Sequence, residues 1–583
     1  MKRNRVFVLA CIPFITLASL TILFQVTGSQ PVAAETDETT MAVWGDPQVG
    51  FIVNTTSGMQ PEINAINASW AHPLSWTGCL TCIDFHLTQF RDSAIYVGNT
   101  QDQDQFGTWL SNLNADGGSA CADNTFAGLR EFALKLPDDA APVSDAIVFS
   151  DSPPMGNRRT FGFILDKMIE NNIRVHNVGR ALCNNENIPD YAMNNLALLT
   201  GGEFHTPASP GDYMTDTLMA MNLAMSKDLL TTYMGHVDNS VETFPLQIDS
   251  SVTTLGVEEH YWGCLTCTLL ATNSMSIANL GDVSVELIDP EGNVIDESTP
   301  GYRRLTSESR DMQIMFETLT HEDAGEWQVR VSGTGEYTIN VFGSSDVHIM
   351  SLGRHVARAN RPFDVRALIT SEEDHDPSLL GLNEHCTYGC WLTATLKLVG
   401  VDNFGMYPVD MFNIGMPPSV AGGSVTVPTP GLYRLVAEGT LEDGTQFTRV
   451  DPTPIRVRAH GMDGSGDAPA LPGSTHSVSF ELTNDGVAGL ATTLTTATTF
   501  DLELFSEQGW TISDAIPESV TLNPGESVEY TVDVVVPPDA DIGSVEDSTL
   551  VAVPQDDLAA TVSSSALTTV VDQLHVFLPS IMK

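Results

Sequence analysis

Positive charge is scarce in this 583-residue chain: 26 Lys and Arg stand against 74 Asp and Glu, a formal net charge of −48 at pH 7. A surface this acidic repels phosphate backbones and anionic lipid headgroups, which argues against nucleic acid and membrane surfaces as partners. Long apolar runs are absent beyond residue 24, so no later segment reads as a transmembrane helix. Aromatic residues make up only 7%, yet 42% of the chain is hydrophobic and 17% charged, a balance that supports packed cores rather than disorder. Common catalytic motifs are missing as well. The 14 histidines form no HExxH, no G-x-S-x-G opens a helix after a strand, and DGGSACADN (116–124) lacks the Gly-Lys-Ser/Thr of a phosphate-binding loop. A protein that is not an enzyme is therefore expected.

Lys2, Arg3 and Arg5 precede the apolar run 6–24, and Val32 and Ala34 occupy the small-residue positions of a cleavage site in PVAAET. Residues 1–34 read as a secretory signal peptide, which predicts a secreted or cell-surface product with no membrane span after its removal. An uncleaved anchor is the alternative, because the run is nearly long enough to cross a bilayer. Of the nine cysteines, Cys11 lies in that run and eight remain. An even number in an exported chain reads as disulfides. Three local pairs stand out, Cys79–Cys82, Cys264–Cys267 and Cys386–Cys390, leaving Cys121 and Cys183 for each other. The two widely separated CxxC pairs also admit a four-cysteine zinc site or a thioredoxin-like centre. The latter needs its CxxC at a helix N-terminus, whereas residues 83–87 continue as strand.

Residues 45–235 alternate between short apolar strands and helical periodicity. VGFIVN (49–54), CIDFHLTQF (82–90), DAIVFS (145–150) and IRVHNV (173–178) are the core strands. Helices are predicted over 61–71, 104–113, 125–136, 160–171, 191–200 and 213–225, with Gly201-Gly202 stopping the fifth. Such alternation argues an α/β, doubly wound parallel sheet, with ligands bound beyond the carboxyl ends of its strands. There lie Asn54-Thr55-Thr56-Ser57 and SDSPP (150–154). The helical pattern then stops. Strand-and-turn patterns divide the rest into three all-β sandwiches of 236–345, 346–460 (Ig-like) and 461–572 (accessory), with a tail at 573–583. AGEWQVRVSGTGEYTINVFG (324–343) reads as a hairpin about SGTGE, and 460–474 as a Gly/Pro-rich linker.

Five motifs in order give the first unit a resemblance. FIVNTTSGM (51–59), QFRDSA (89–94), GGSACAD (117–123), IVFSDS (147–152) and LTGGEFH (199–205) resemble those of a von Willebrand factor type A domain, most closely its hemicentin-like subgroup. Cys121 and Cys183 fall where that subgroup places a paired cysteine. The resemblance implies a metal-ion-dependent adhesion site holding Mg²⁺ or Ca²⁺, and an extracellular protein or matrix ligand. Carried over residue by residue, the first acid is Asn54, the first hydroxyl Thr56, and the distal acid Asp151. Gly58 stands at the second hydroxyl position with Ser57 displaced by one, and the loop acid falls on Ala120, with Ser119 and Asp123 close by. Two carboxylates are lost from the family's set, so the site is expected to be degenerate. A neutral amide attracts a divalent ion less than a carboxylate does. The alternative is a polar knot of Asn54, Thr56, Ser57 and Asp151.

The acidic stretches 99–105 and 371–377 read as solvated loops, with a Ca²⁺ loop as the alternative. The last unit is similar to accessory sandwiches of bacterial surface proteins. Its tail LHVFLPSIMK reads equally as an attachment signal or a final strand. The expected architecture is an adhesion head carried on three sandwiches as a spacer. A structural matrix component with an inert head is the rival. So is an accessory of a carbohydrate-active system, which an exposed strip among Phe480, Phe500, Phe505, Trp510 and Tyr530 would support.

Overall fold

A computed structural model describes residues 48–70, 83–118, 123–137, 144–179, 192–205, 207, 213, 228–261, 282–300, 302–307, 310–315, 323–345, 347–352, 355–371, 394–401, 406–411, 420–441, 444–485, 497–511, 516–555 and 560–572. Residues 1–47, with the stretch read as a signal peptide, the eight cysteines beyond it and the tail 573–583 lie outside the described residues.

Alternation within β1 (Gln48–Asn54) explains the first unit. Val49, Phe51 and Val53 enter one apolar cluster and Ile52 the other. A strand buried on both faces needs a helix layer on each side. The remaining strands are β2 (Asp84–Phe90), β3 (Ala94–Thr100), β4 (Ser144–Ser150), β5 (Ile173–Gly179) and β6 (Phe204–His205), in the order β3-β2-β1-β4-β5-β6. Helices α1 (Gln60–Ser69) and α2 (Gln103–Ser111) supply one layer. Helices α3 (Thr125–Ala133), α4 (Arg158–Glu170) and α5 (Ala192–Thr200) supply the other. Of the sixth predicted helix only Tyr213 is described, and it is helical. The doubly wound sheet is thus observed, with one addition. Edge strand β3 runs antiparallel to β2. Its Ile95 and Val97 face outward at 51% and 38% exposure, so its sequence shows no buried face to single it out.

Six strands form the next unit: β7 (Asp228–Ile248), β8 (Val252–Tyr261), β9 (Asp282–Ile288), β10 (Tyr302–Ser307), β11 (Arg310–Met315) and β12 (Gly325–Ser345). The hairpin expected at 324–343 is instead a single strand, β12. Gly333 and Gly335 take φ of 120° and 150°, and the ladder shifts register between Gly333 and Thr334 while both halves go on pairing with β7. A bulge bends a strand without reversing it. The boundary drawn at 235/236 falls inside β7. Leu229 of β7 pairs with Val450, which joins this unit to the next in one sheet. The stretch 460–474, read as a linker, holds the strands His460–Ser465 and Ala468–Ala470, each paired within the last sandwich.

The three sandwiches do not simply hold the first unit away as a spacer, because the last of them packs against it. Helix α4 lies against the last sandwich: Phe163 stacks on Phe505 with ring centroids 4.4 Å apart, and Lys167 Nζ reaches Asp547 Oδ2 at 3.0 Å. Arg158 Nη2 donates to Pro554 O and Arg159 Nη2 to Glu518 O. Val551 and Val553 of that sandwich enter the apolar cluster built on α3, α4 and α5. Asp166 of α4 meets Arg456 and Arg458, and Glu203 accepts from Asn340 Nδ2 of β12. Burial of α4's apolar residues thus closes the chain back on its head domain.

Candidate functional site

Three loops meet beyond the carboxyl ends of β1 and β4. Backbone bonds fasten them: Asp116 N donates to Thr55 O at 3.1 Å, Ser57 N to Gly117 O at 2.9 Å, and Asp123 N to Pro153 O at 3.1 Å. Gly118 has φ +62°, and a Cβ there would lie 2.6 Å from Thr56 Cγ2. Conformation and space both demand glycine, which is why the motif's GG precedes the loop.

Asn54 is the hub, and it is fully buried. Its Nδ2 donates to Asp123 Oδ2 at 2.6 Å and to Asp151 Oδ1 at 3.1 Å, with Ser150 Oγ at 3.4 Å. Its Oδ1 accepts from Thr56 N at 2.9 Å. Ser152 Oγ donates to Asp151 Oδ1 at 3.0 Å. Asp151 Oδ2 lies over Gly58, where an added Cβ would come within 2.8 Å of it. The structure places Asn54 and Asp151 in side-chain contact, while Thr56 joins them through its backbone N–H. Ser57 opens the turn Ser57–Met59 and faces solvent at the rim.

The residue that sequence reasoning underweighted is Asp123. Motif alignment gave the loop-acid place to Ala120, which lies outside the described residues, while Asp123 reaches the hub from three positions further on. Its position just before the start of α3 was the available signal, since an acid beside a helix N-terminus is favourably placed. Burial pushes the Asp123 carboxyl above its ordinary range. The charges of Asp151 and Asp92 add to the rise, while hydrogen bonds from Ser152 and Asn54 oppose it. Asp145, at the amino end of β4, shows the contrast. Burial raises it too, but Arg174 and His176 outweigh burial and hold it below the usual carboxylate range. One buried acid has a guanidinium at hand; the other has an amide.

A raised folded-state value means that the native state holds the Asp123 proton where the unfolded chain has released it. Stability is then lost as pH rises from the unfolded value through the folded one. Asp123→Asn removes that loss, so its stability relative to wild type is expected to climb with pH across this window. Urea titrations of both proteins from pH 4 to 8 measure it; a constant difference would show that Asp123 titrates as an ordinary surface acid.

Other candidates resolve differently. Of 99–105, residues 103–105 start α2, and Asp102 caps it by accepting from Gln105 N at 3.1 Å. That carboxylate serves as a helix cap rather than in a Ca²⁺ loop. Of 371–377 only Ser371 is described. Phe480 and Phe500 are buried, and Trp510 and Tyr530 pack on the same core, with Phe505 covered by Phe163. These five form no exposed platform. Ser351, His355 and Asp451 gather with Ser351 Oγ 3.2 Å from His355 Nε2, but Asp451 Oδ2 accepts from Ser351 N and all three are buried. That arrangement offers no accessible hydroxyl. An open groove of about 390 Å³ lies between β7 and residues 397–450, lined by Leu230, Val399, Met406, Val436 and the Lys397–Glu438 pair.

A family model, the von Willebrand factor A domain, matches residues 48–202. No curated protein sequence matches the chain. Among solved structures, a von Willebrand factor type A protein from Catenulispora acidiphila is similar at 12% identity, covering 56% of this chain and 62% of its own, with a TM-score of 0.26. The PilB minor pilin from Streptococcus sanguinis is similar at 12% identity, over 31% of this chain and 62% of its own, with a TM-score of 0.25. Proximal thread matrix protein 1 from the mussel byssus matches at 10% identity over 33% and 51%, with a TM-score of 0.26. The chain thus spans under two thirds of the length of each of these three. Residues 48–202 thus match the von Willebrand factor A domain model and fold as a doubly wound α/β sheet like that domain's, followed in the same chain by β-sandwich units.

Proposed function

We propose that this is an exported binding or adhesion protein, without catalytic chemistry, whose A domain recognises an extracellular protein or matrix ligand. The observation that carries this reading is the strand-end face, where three loops are pinned around a buried polar hub and leave Ser57, Gly58 and Met155 exposed at its rim. A rigid, solvent-facing set of loops on a sheet scaffold is how α/β folds present ligand sites. The acidic surface and the leader-like residues 1–34 support a secreted or cell-surface location. Docking of α4 onto the last sandwich favours a second reading, a structural surface or matrix component whose A-domain face is inert.

Binding of the full chain to an array of immobilised matrix proteins separates the two. Ser57→Arg places bulk and charge on the rim without disturbing a buried group. It is expected to weaken capture by tenfold or more, about 1.4 kcal/mol. Glu529→Arg, on the exposed face of the last sandwich, serves as control. Equal capture by wild type and both variants would sink the proposal and leave the structural reading.

A further inference from the structure

We infer that the Asn54 carboxamide stands in for a divalent cation, so that the strand-end face is assembled without metal. A cation in such a site holds two acids together by attracting both. Here the amide does so, its Nδ2 donating to Asp123 Oδ2 at 2.6 Å and to Asp151 Oδ1 at 3.1 Å. The amide cannot turn to offer its oxygen to an ion at low cost. Its Oδ1 is committed to Thr56 N at 2.9 Å, and reversal would set Nδ2 against that N–H while pointing Oδ1 at two carboxylates.

A second observation stands apart from the amide. The family's other hydroxyl position is Gly58, and the space that its side chain would fill is taken by Asp151 Oδ2. Two places in the expected ligand set are thus closed, one by a donor and one by a neighbour. Mg²⁺ demands near-octahedral oxygen ligands and parts with its waters reluctantly. Among the described residues, no three His, Cys, Asp or Glu side chains gather where an ion could be held. The described residues of this cluster do not fit a resident divalent ion.

The inference concerns the face to which binding was assigned above, but its test reads ion occupancy rather than partner binding. Failure to find a partner would leave it standing, and a metal-binding wild type would leave the partner reading standing. The full chain is unfolded thermally in EDTA, then in millimolar Mg²⁺, Mn²⁺ or Ca²⁺, as wild type, Asn54→Asp, Asp151→Ala and the double variant. Asp151→Ala calibrates the loose ion binding of an acidic surface. Wild type is expected to shift no further than Asp151→Ala does.

Asn54→Asp brings a third carboxylate to the hub and is expected to lose midpoint in EDTA, then regain several degrees with Mg²⁺ or Mn²⁺. The double variant should show no such gain. If Asn54→Asp does not fold in EDTA, its refolding yield with and without Mn²⁺ gives the same reading. A cation-dependent rise in wild type that Asp151→Ala abolishes would overturn the inference. So would an Asn54→Asp protein with no cation response, because the amide would then not occupy an ion's place.

Discussion

Asp166→Ala is expected to destabilise the chain by about 3–5 kcal/mol, the cost of breaking a buried ion pair by removing one partner. Asp166 lies on α4 with 1% of its surface exposed, and its Oδ1 accepts from Arg458 Nη2 at 2.6 Å and from Arg456 Nη1 at 3.2 Å. Both arginines come from the strand Ile455–Arg458 and are themselves buried. Removing the carboxylate leaves two guanidinium groups in a low-dielectric seam with like charges adjacent. The pair need not itself stabilise the fold relative to an apolar seam. A triple variant, Asp166→Leu with Arg456→Met and Arg458→Met, is therefore expected to recover most of the loss. Urea denaturation of the single and triple variants measures both. A single-variant cost below about 1 kcal/mol, the range of an exposed pair, would show that the arginines reach water and that the A domain is loosely docked.

Arg449→Met is the second large effect, again about 3–5 kcal/mol. Arg449 is 1% exposed and every nitrogen of its guanidinium is used. Nη1 donates to Asp249 Oδ2 at 2.7 Å and to Thr448 O at 2.8 Å. Nη2 donates to Ser251 Oγ at 2.9 Å and Ser345 Oγ at 2.8 Å, and Nε to Val347 O at 2.8 Å. Asp249 and Ser251 lie in the turn between β7 and β8 and Ser345 ends β12, while Val347 and Thr448 belong to the second sandwich with Arg449 itself. The side chain thus rivets the first sandwich to the second. Methionine matches much of the volume and supplies none of the donors, so Asp249 would be left as an uncompensated buried acid. Pairing the change with Asp249→Asn should return part of the loss, and a double-mutant cycle reads the coupling directly. Additive single costs would mean that the two residues do not act as a unit.

These two rivets show where sequence reading stops. Asp166, Arg449, Arg456 and Arg458 look like solvated charges in a chain rich in acids. No local pattern reveals that partners 200 to 290 residues away, as for Asp249 with Arg449 and Asp166 with Arg456, will cover them. The edge strand β3 was hidden for a related reason, since its apolar side chains face outward. Strand β12 was misread because its glycines look the same in a turn and in a bulge; only the partner β7 distinguishes the two.

The sequence by itself determined the parts governed by local periodicity and by short motifs. Apolar runs buried on both faces dictated a parallel sheet, the Gly-rich and strand-end motifs located the candidate site, and the loss of helical pattern marked the passage into β-sandwiches. It also placed Asn54, Thr56 and Asp151 in one cluster, because strand ends in such a sheet converge. Tertiary structure alone decided which acid joins them, which way the Asn54 amide points, and that the last sandwich folds back onto α4. Each depends on contacts between residues distant in the chain, where burial removes water as the competing partner and leaves geometry to choose which polar groups meet.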